Sequence, residues 1–165
     1  MKPAGYLTNH KEGLAGEPGL FYNYVLADNG LFIEAENNLL RASVRIADVR
    51  VRGLEPKEDR VELIRGKIPP YLYDLALSVL FVDRYKERYL SITWDGGYRI
   101  WDSSQETSEC SVKYSNLPST VMDIHSHGSM WAHFSYVDDQ DEQGLRLSMV
   151  VGRLDTMIPD VSVRI

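Results

Sequence analysis

The side chains best suited to chemistry lie in one stretch, Asp123-Ile124-His125-Ser126-His127-Gly128, continued by Ser129-Met130-Trp131-Ala132-His133-Phe134-Ser135-Tyr136-Val137-Asp138-Asp139. Strand side chains repeat every second residue, so a strand over 121–127 projects His125 and His127 from the same face. Two adjacent imidazoles can share one metal ion, and a third protein ligand would complete an open site that keeps a position for water. Asp138 is the candidate for that ligand, because Gly128 lets the chain fold back over the strand end. Each feature also has a plainer reading. A lone H-x-H arises by chance, Ser135-x-x-Asp138 resembles a capping-box helix start, and Gly128 suits any turn.

Positioning such a site requires a sheet and something packed on it. Leu72, Leu75, Ala76, Val79 and Leu80 fall at i, i+3, i+4, i+7 and i+8 after Ile68-Pro69-Pro70, which predicts a helix with proline in its first turn and one face on a sheet. Asp28-Asn29-Gly30 separates the runs LFYNYVLA and LFIEAE, a hairpin signal because the turn residues tolerate positive φ. Leu90, Ile92 and Trp94 alternate with Tyr89, Ser91 and Thr93, and Asp95-Gly96-Gly97 turns into 98–101, a second predicted hairpin. Val44 and Ile46 change parity before Val49 and Val51, a strand with a bulge or break. Val61 with Leu63, the run 121–126, Leu145 to Val151 and Val161 to Ile165 supply further strands, and DSSQETSE reads as a polar loop.

The class is therefore mixed α and β in one compact domain. Residues 1–19, with Gly5, Gly13, Gly16, Pro18 and Gly19, read as an irregular leader, and 20–66 as a strand-rich N-terminal part. Val161, Val163 and Ile165 leave no polar tail, so the natural chain is expected to continue. Its 165 residues, 44% hydrophobic and 25% charged, have the composition of a globular domain. A net charge of -6 argues against a phosphate-backbone binder, so no nucleic acid is expected. The single cysteine, Cys110, can form neither an internal disulfide nor a multi-thiolate site, which points to a reducing, cytoplasmic setting. The N-terminus has no apolar h-region, and Leu75 to Val82 is far shorter than the roughly 20 residues of a membrane span, so no membrane association is expected.

Taken together, His-Ser-His, seven residues, Ser, two residues, Asp form a long composite pattern. It resembles the JAMM motif of the JAB/MPN metalloprotease family. The run HSHGSMWAHFSYVDDQDEQGLRLSMVVGRLD, with ADNGLFIEA, IPPYLYDLAL and ITWDGG before it, is similar to the JAB-domain proteins of the bacterial PRTRC cassette, named for ParB-related and ThiF-related genes. The likeness covers roughly residues 20–165 and leaves the leader aside.

The resemblance implies an α+β, cytidine-deaminase-like mixed sheet flanked by helices, with residues 67–165 as the JAB/MPN catalytic core and an extra N-terminal hairpin region. It implies Zn2+ held by His125, His127 and Asp138, and Ser135 as the hydroxyl that supports the tetrahedral intermediate. The family also uses an upstream glutamate as general acid/base. Glu87, between the helix and the strand beginning near Tyr89, sits where it is expected, with Glu34 and Glu36 as rivals. Gly128 stands where relatives often have proline. His133 reads as a loop residue near the site, and Asp139 and Asp141 as a solvated negative first turn of a helix. The implied activity is metal-assisted hydrolysis of a peptide or isopeptide bond on a ubiquitin-like protein or its conjugates, with a ThiF-like (E1-like) activating enzyme as a functional partner. A non-catalytic MPN-type scaffold is the alternative. A cupin-type barrel also uses H-x-H but wants a glutamate a few residues later, where this chain has Met130, Trp131 and Ala132.

Overall fold

Asp28 and Asn29 form the two-residue loop of a hairpin in which Ala27 pairs with Gly30; neither loop residue has positive φ, so the hairpin forms without the positive-φ turn expected from Asn-Gly. This hairpin lies near the middle of a six-stranded sheet formed by β1 (Ala4–His10), β2 (Gly13–Glu17), β3 (Tyr22–Ala27), β4 (Gly30–Glu36), β5 (Leu40–Ala47) and β6 (Arg60–Leu63), in the order β2-β1-β3-β4-β5-β6. The computed structural model describes residues 2–102, 106–107, 112–113, 117, 119–141 and 144–165. Cys110, and residues 103–105 and 108–109 of the expected polar loop, lie outside them.

The expected leader is corrected: residues 4–17 are β1 and β2, and β1 runs parallel to β3. Its glycines mark close approach. A Cβ on Gly5 would stand 2.3 Å from the Gly19 nitrogen and 2.1 Å from Asn23 Oδ1. The N-terminal region is thus a mixed six-stranded sheet rather than a leader followed by a hairpin region. In β5 an extra residue, Ile46, lies between the Phe32–Arg45 and Leu31–Ala47 pairs, and the strand stops before Val49 and Val51.

The expectation of one compact domain is also corrected. The chain forms two compact units, Met1–Gly66 and Lys67–Ile165. The first has its own buried cluster, Leu7, Val25, Ala27 and Phe32.

The second unit contains α1 (Pro70–Val82), β7 (Tyr89–Trp94), β8 (Tyr98–Trp101), β9 (Glu106–Thr107), β10 (Val112–Lys113), β11 (Thr120–Ser126), α2 (Tyr136–Asp141), β12 (Leu147–Gly152) and β13 (Asp160–Arg164). Strands β9 and β10 pair with each other, so part of the expected polar loop is strand. The main sheet has the order β13-β12-β11-β7-β8. It is antiparallel except for β11 and β12. Parallel neighbours need a crossover, and residues 127–146, with α2, make it. Among the described residues the class is mixed α+β with two helices, and no helix is long and apolar enough to cross a membrane.

Pro70 opens α1, where its missing N–H costs nothing. Leu72, Ala76 and Leu80, one face at four-residue spacing, pack with Leu90, Ile92, Ile124, Val151 and Leu154. Leu75 departs from the expected core stripe: it is 48% exposed, one residue off the buried face. Leu80→Ala should therefore cost about 2–5 kcal/mol in urea denaturation, whereas Leu75→Ala should stay within about 0.5 kcal/mol.

Candidate metal centre

Alternation along β11 divides its work. Ile124 enters the core beneath α1, while Asp123 and His125 point from the opposite face, with His127 just past the strand end. His125 is paired with Tyr89 of β7 and Val150 of β12, so both rings stand at the carboxyl ends of two parallel strands, where crossover loops leave a crevice. Their Nε2 atoms are 3.2 Å apart.

Asp138 reaches them from α2. Ser135 N–H donates to Asp138 Oδ2 at 2.6 Å, and Asp138 N–H donates to Ser135 Oγ at 3.3 Å. This reciprocal pair satisfies two backbone donors at the start of α2 and fixes the aspartate. Asp138 Oδ1 lies 3.2 Å from His125 Nε2, and its Oδ2 lies 3.9 Å from His127 Nε2.

Gly128 makes the turn out of β11 with φ 56°. Proline, fixed near −65°, cannot adopt that backbone.

Glu87 lies in the segment between α1 and β7, half-buried. Ser126, between the two histidines, holds this segment on both sides of it: its Oγ donates to the Lys86 carbonyl at 3.3 Å and accepts from Arg88 N–H at 3.0 Å. Burial raises the Glu87 pKa; His125 opposes the shift and Asp138 adds to it. Burial also pushes the Asp138 carboxyl up, but hydrogen bonds from His125 and Ser135 outweigh it and hold it well below the usual range. His127 is lowered by burial and then by the neighbouring His125; Asp138 and the Trp131 carbonyl oppose that shift without reversing it. Its Nδ1 is buried with no hydrogen-bond partner among the described residues.

One ligand atom from each of His125, His127 and Asp138 lies within 4.8 Å of the others, and the three could hold a metal ion. Donors about 2.0–2.1 Å from a tetrahedral ion lie about 3.3 Å apart, close to the two 3.2 Å separations here. Facing nitrogen lone pairs repel unless a proton or a cation stands between them, so the donor chemistry fits the ion.

Other candidates are placed elsewhere. Glu34 and Glu36 lie on β4 in the first unit, paired with Lys57 at 2.6 Å and Arg41 at 2.8 Å. His133 stacks edge-on to His127 at 5.2 Å, but its Nδ1 is engaged with the Trp131 carbonyl at 3.0 Å. Asp139 pairs with Arg164 at 2.6 Å instead of facing solvent alone. Asp141 ends α2, so it does not belong to the first turn. Sequence reasoning passed over Asp123, which is buried on the histidine face and accepts from Arg146 Nη1 at 2.9 Å and from the Tyr89 hydroxyl. Its odd-numbered parity with His125 and His127 was the available signal.

The chain matches no family model, no curated protein and no solved structure. Two substitutions probe the supports of the site. Ser126→Ala, which removes the hydroxyl that bonds the Lys86 carbonyl and the Arg88 N–H, should cost about 1–3 kcal/mol. Ser135→Ala should cost about 1 kcal/mol as a lost cap. Urea denaturation of both variants, alone and combined, checks the values.

Proposed function

We propose that the chain is a zinc-dependent hydrolase of the JAMM type, with a JAB/MPN-like second unit, cutting peptide or isopeptide bonds at a ubiquitin-like protein or its conjugates. A ThiF-like enzyme is the proposed functional partner. The observation that carries this reading is the convergence of His125, His127 and Asp138, with Glu87 half-buried under the influence of the same charges. Two imidazoles and one carboxylate are a donor set suited to zinc with an open fourth position.

Zinc held there would supply a Lewis acid that activates water near neutral pH and polarises a carbonyl. The remaining work falls to the chain. Glu87, with its pKa raised, accepts the proton from the attacking water and passes it to the departing amine. Ser135 Oγ accepts from Asp138 N–H, which leaves its own proton to donate to the developing oxyanion. His125, His127 and Asp138 orient the metal, and the Ser135–Asp138 pair fixes their geometry.

Atomic emission on protein purified without added metal should find one zinc per chain, lost in His125→Ala/His127→Ala and in Asp138→Ala. Retention in the double histidine variant would overturn the ligand assignment. Chelation should leave most of the fold in place, since each unit has its own core.

Glu87→Gln should keep zinc and thermal stability yet slow cleavage of a ubiquitin-like fusion by about a hundredfold or more. Ser135→Ala should keep zinc and lose about two to three orders of magnitude in rate. Stoichiometric zinc with no turnover in the unaltered chain would favour the MPN-type scaffold.

A further inference from the structure

Gly152 ends β12 beside His127. Ser126 pairs with Val151 in the parallel ladder, and His127 N–H donates to the Val151 carbonyl at 2.8 Å. The loop that leaves His127 then turns back across this glycine. A Cβ on Gly152 would stand 2.3 Å from the Met130 carbonyl oxygen, 2.4 Å from the Ala132 nitrogen and 2.6 Å from the Trp131 carbonyl carbon. All three are backbone atoms, so no side-chain rotation could relieve the clash. Across the β12–β13 pair, Gly152 faces Asp160, whose Oδ2 accepts from Ala132 N–H at 3.1 Å. Arg153 N–H to the Met130 carbonyl, 2.7 Å, and Leu154 N–H to the Gly128 carbonyl, 2.8 Å, close the seam.

We propose that Gly152 and Asp160 are positioning residues for the metal centre. They fix the height of residues 128–132 over the end of β12, and that height sets how far the chain travels before Ser135 and Asp138 meet the imidazoles. Gly152 makes room for the loop; Asp160 ties it down. Neither touches the ligand atoms. Val151 and Leu154 pack in the α1 core, whereas Gly152 alternates with Val151 onto the histidine face, so a side chain there displaces the loop and leaves the α1 core alone. This inference rests on the metal reading of His125, His127 and Asp138.

The test is metal affinity on the full chain, stripped by chelation and titrated with Zn2+ against a competing chromophoric chelator. Cobalt(II) absorption reads the coordination geometry, and far-UV circular dichroism reads the fold. Gly152→Val and Asp160→Ala should each weaken Zn2+ binding by about tenfold or more and reduce the tetrahedral cobalt bands, while Asp160→Asn, which keeps an acceptor oxygen, should stay within about threefold of the unaltered chain. Circular dichroism should be unchanged in all three.

Wild-type affinity in Gly152→Val and Asp160→Ala would overturn the proposal and leave the metal reading standing. Absence of Zn2+ binding by the unaltered chain would overturn the metal reading and the proposal with it. Should Gly152→Val fail to fold, the Asp160 pair decides: rescue by asparagine supports the proposal, and equal loss in both variants overturns it.

Discussion

Two imidazole nitrogens held 3.2 Å apart, with a carboxylate oxygen 3.2 Å from one of them, are the constraint around which the second unit is built. Two cationic rings at that spacing would repel, and two neutral rings must settle which one offers a proton to the other. A single cation satisfies all three donors at once. Burial at the site raises the demand for one, because His127 is only 6% exposed.

Holding that geometry uses both faces of one strand. Met122 and Ile124 of β11 pack with the core beneath α1. The other face carries the Asp123–Arg146 ion pair, the Tyr89 hydroxyl and the histidines. A slip of one residue in β11 would send His125 into the core and Ile124 into the site. The buried Asp123 network penalises such a slip further, since it would leave Arg146 without its carboxylate in a place where an unpaired charge is costly. Register is therefore specified twice, by apolar packing on one side and by polar pairing on the other.

Much of this was legible in the residues. The two hairpins, the three buried positions of α1 and the same-face histidines follow from local periodicity, and the turn at Gly96 from its positive φ. What escaped was non-local. Gly5 and Gly19 read as chain breakers, yet they serve a close backbone approach under a parallel pairing between β1 and β3, and nothing in neighbouring residues announces such a pairing. The boundary between the two units falls where 20–66 meets 67–165, as read from the sequence; that each part is compact by itself depends on which strands pair. Within the motif, Asp123 and Ser126 passed as spacers, although one anchors the strand and the other holds the segment carrying Glu87. Their importance lies in partners at residues 146 and 86–88, distances over which a spacing pattern carries no signal.

The site also separates its two carboxylates. Asp138 receives hydrogen bonds from His125 and Ser135, so despite its burial it stays ionised; Glu87 is half-buried, and burial moves its pKa up. Environments that push two acids in opposite directions assign them different work. The ionised one suits permanent ligation, and the raised one suits a group that must gain and lose a proton. The separation has a structural origin: Asp138 is fixed within a reciprocal cap on α2, while among the described residues Glu87 is held through the backbone on either side of it, by Ser126. A carboxylate held through its main chain keeps its oxygens for a visiting proton. That freedom is what the proposed hydrolytic role requires of Glu87, and what the same role requires Asp138 to lack.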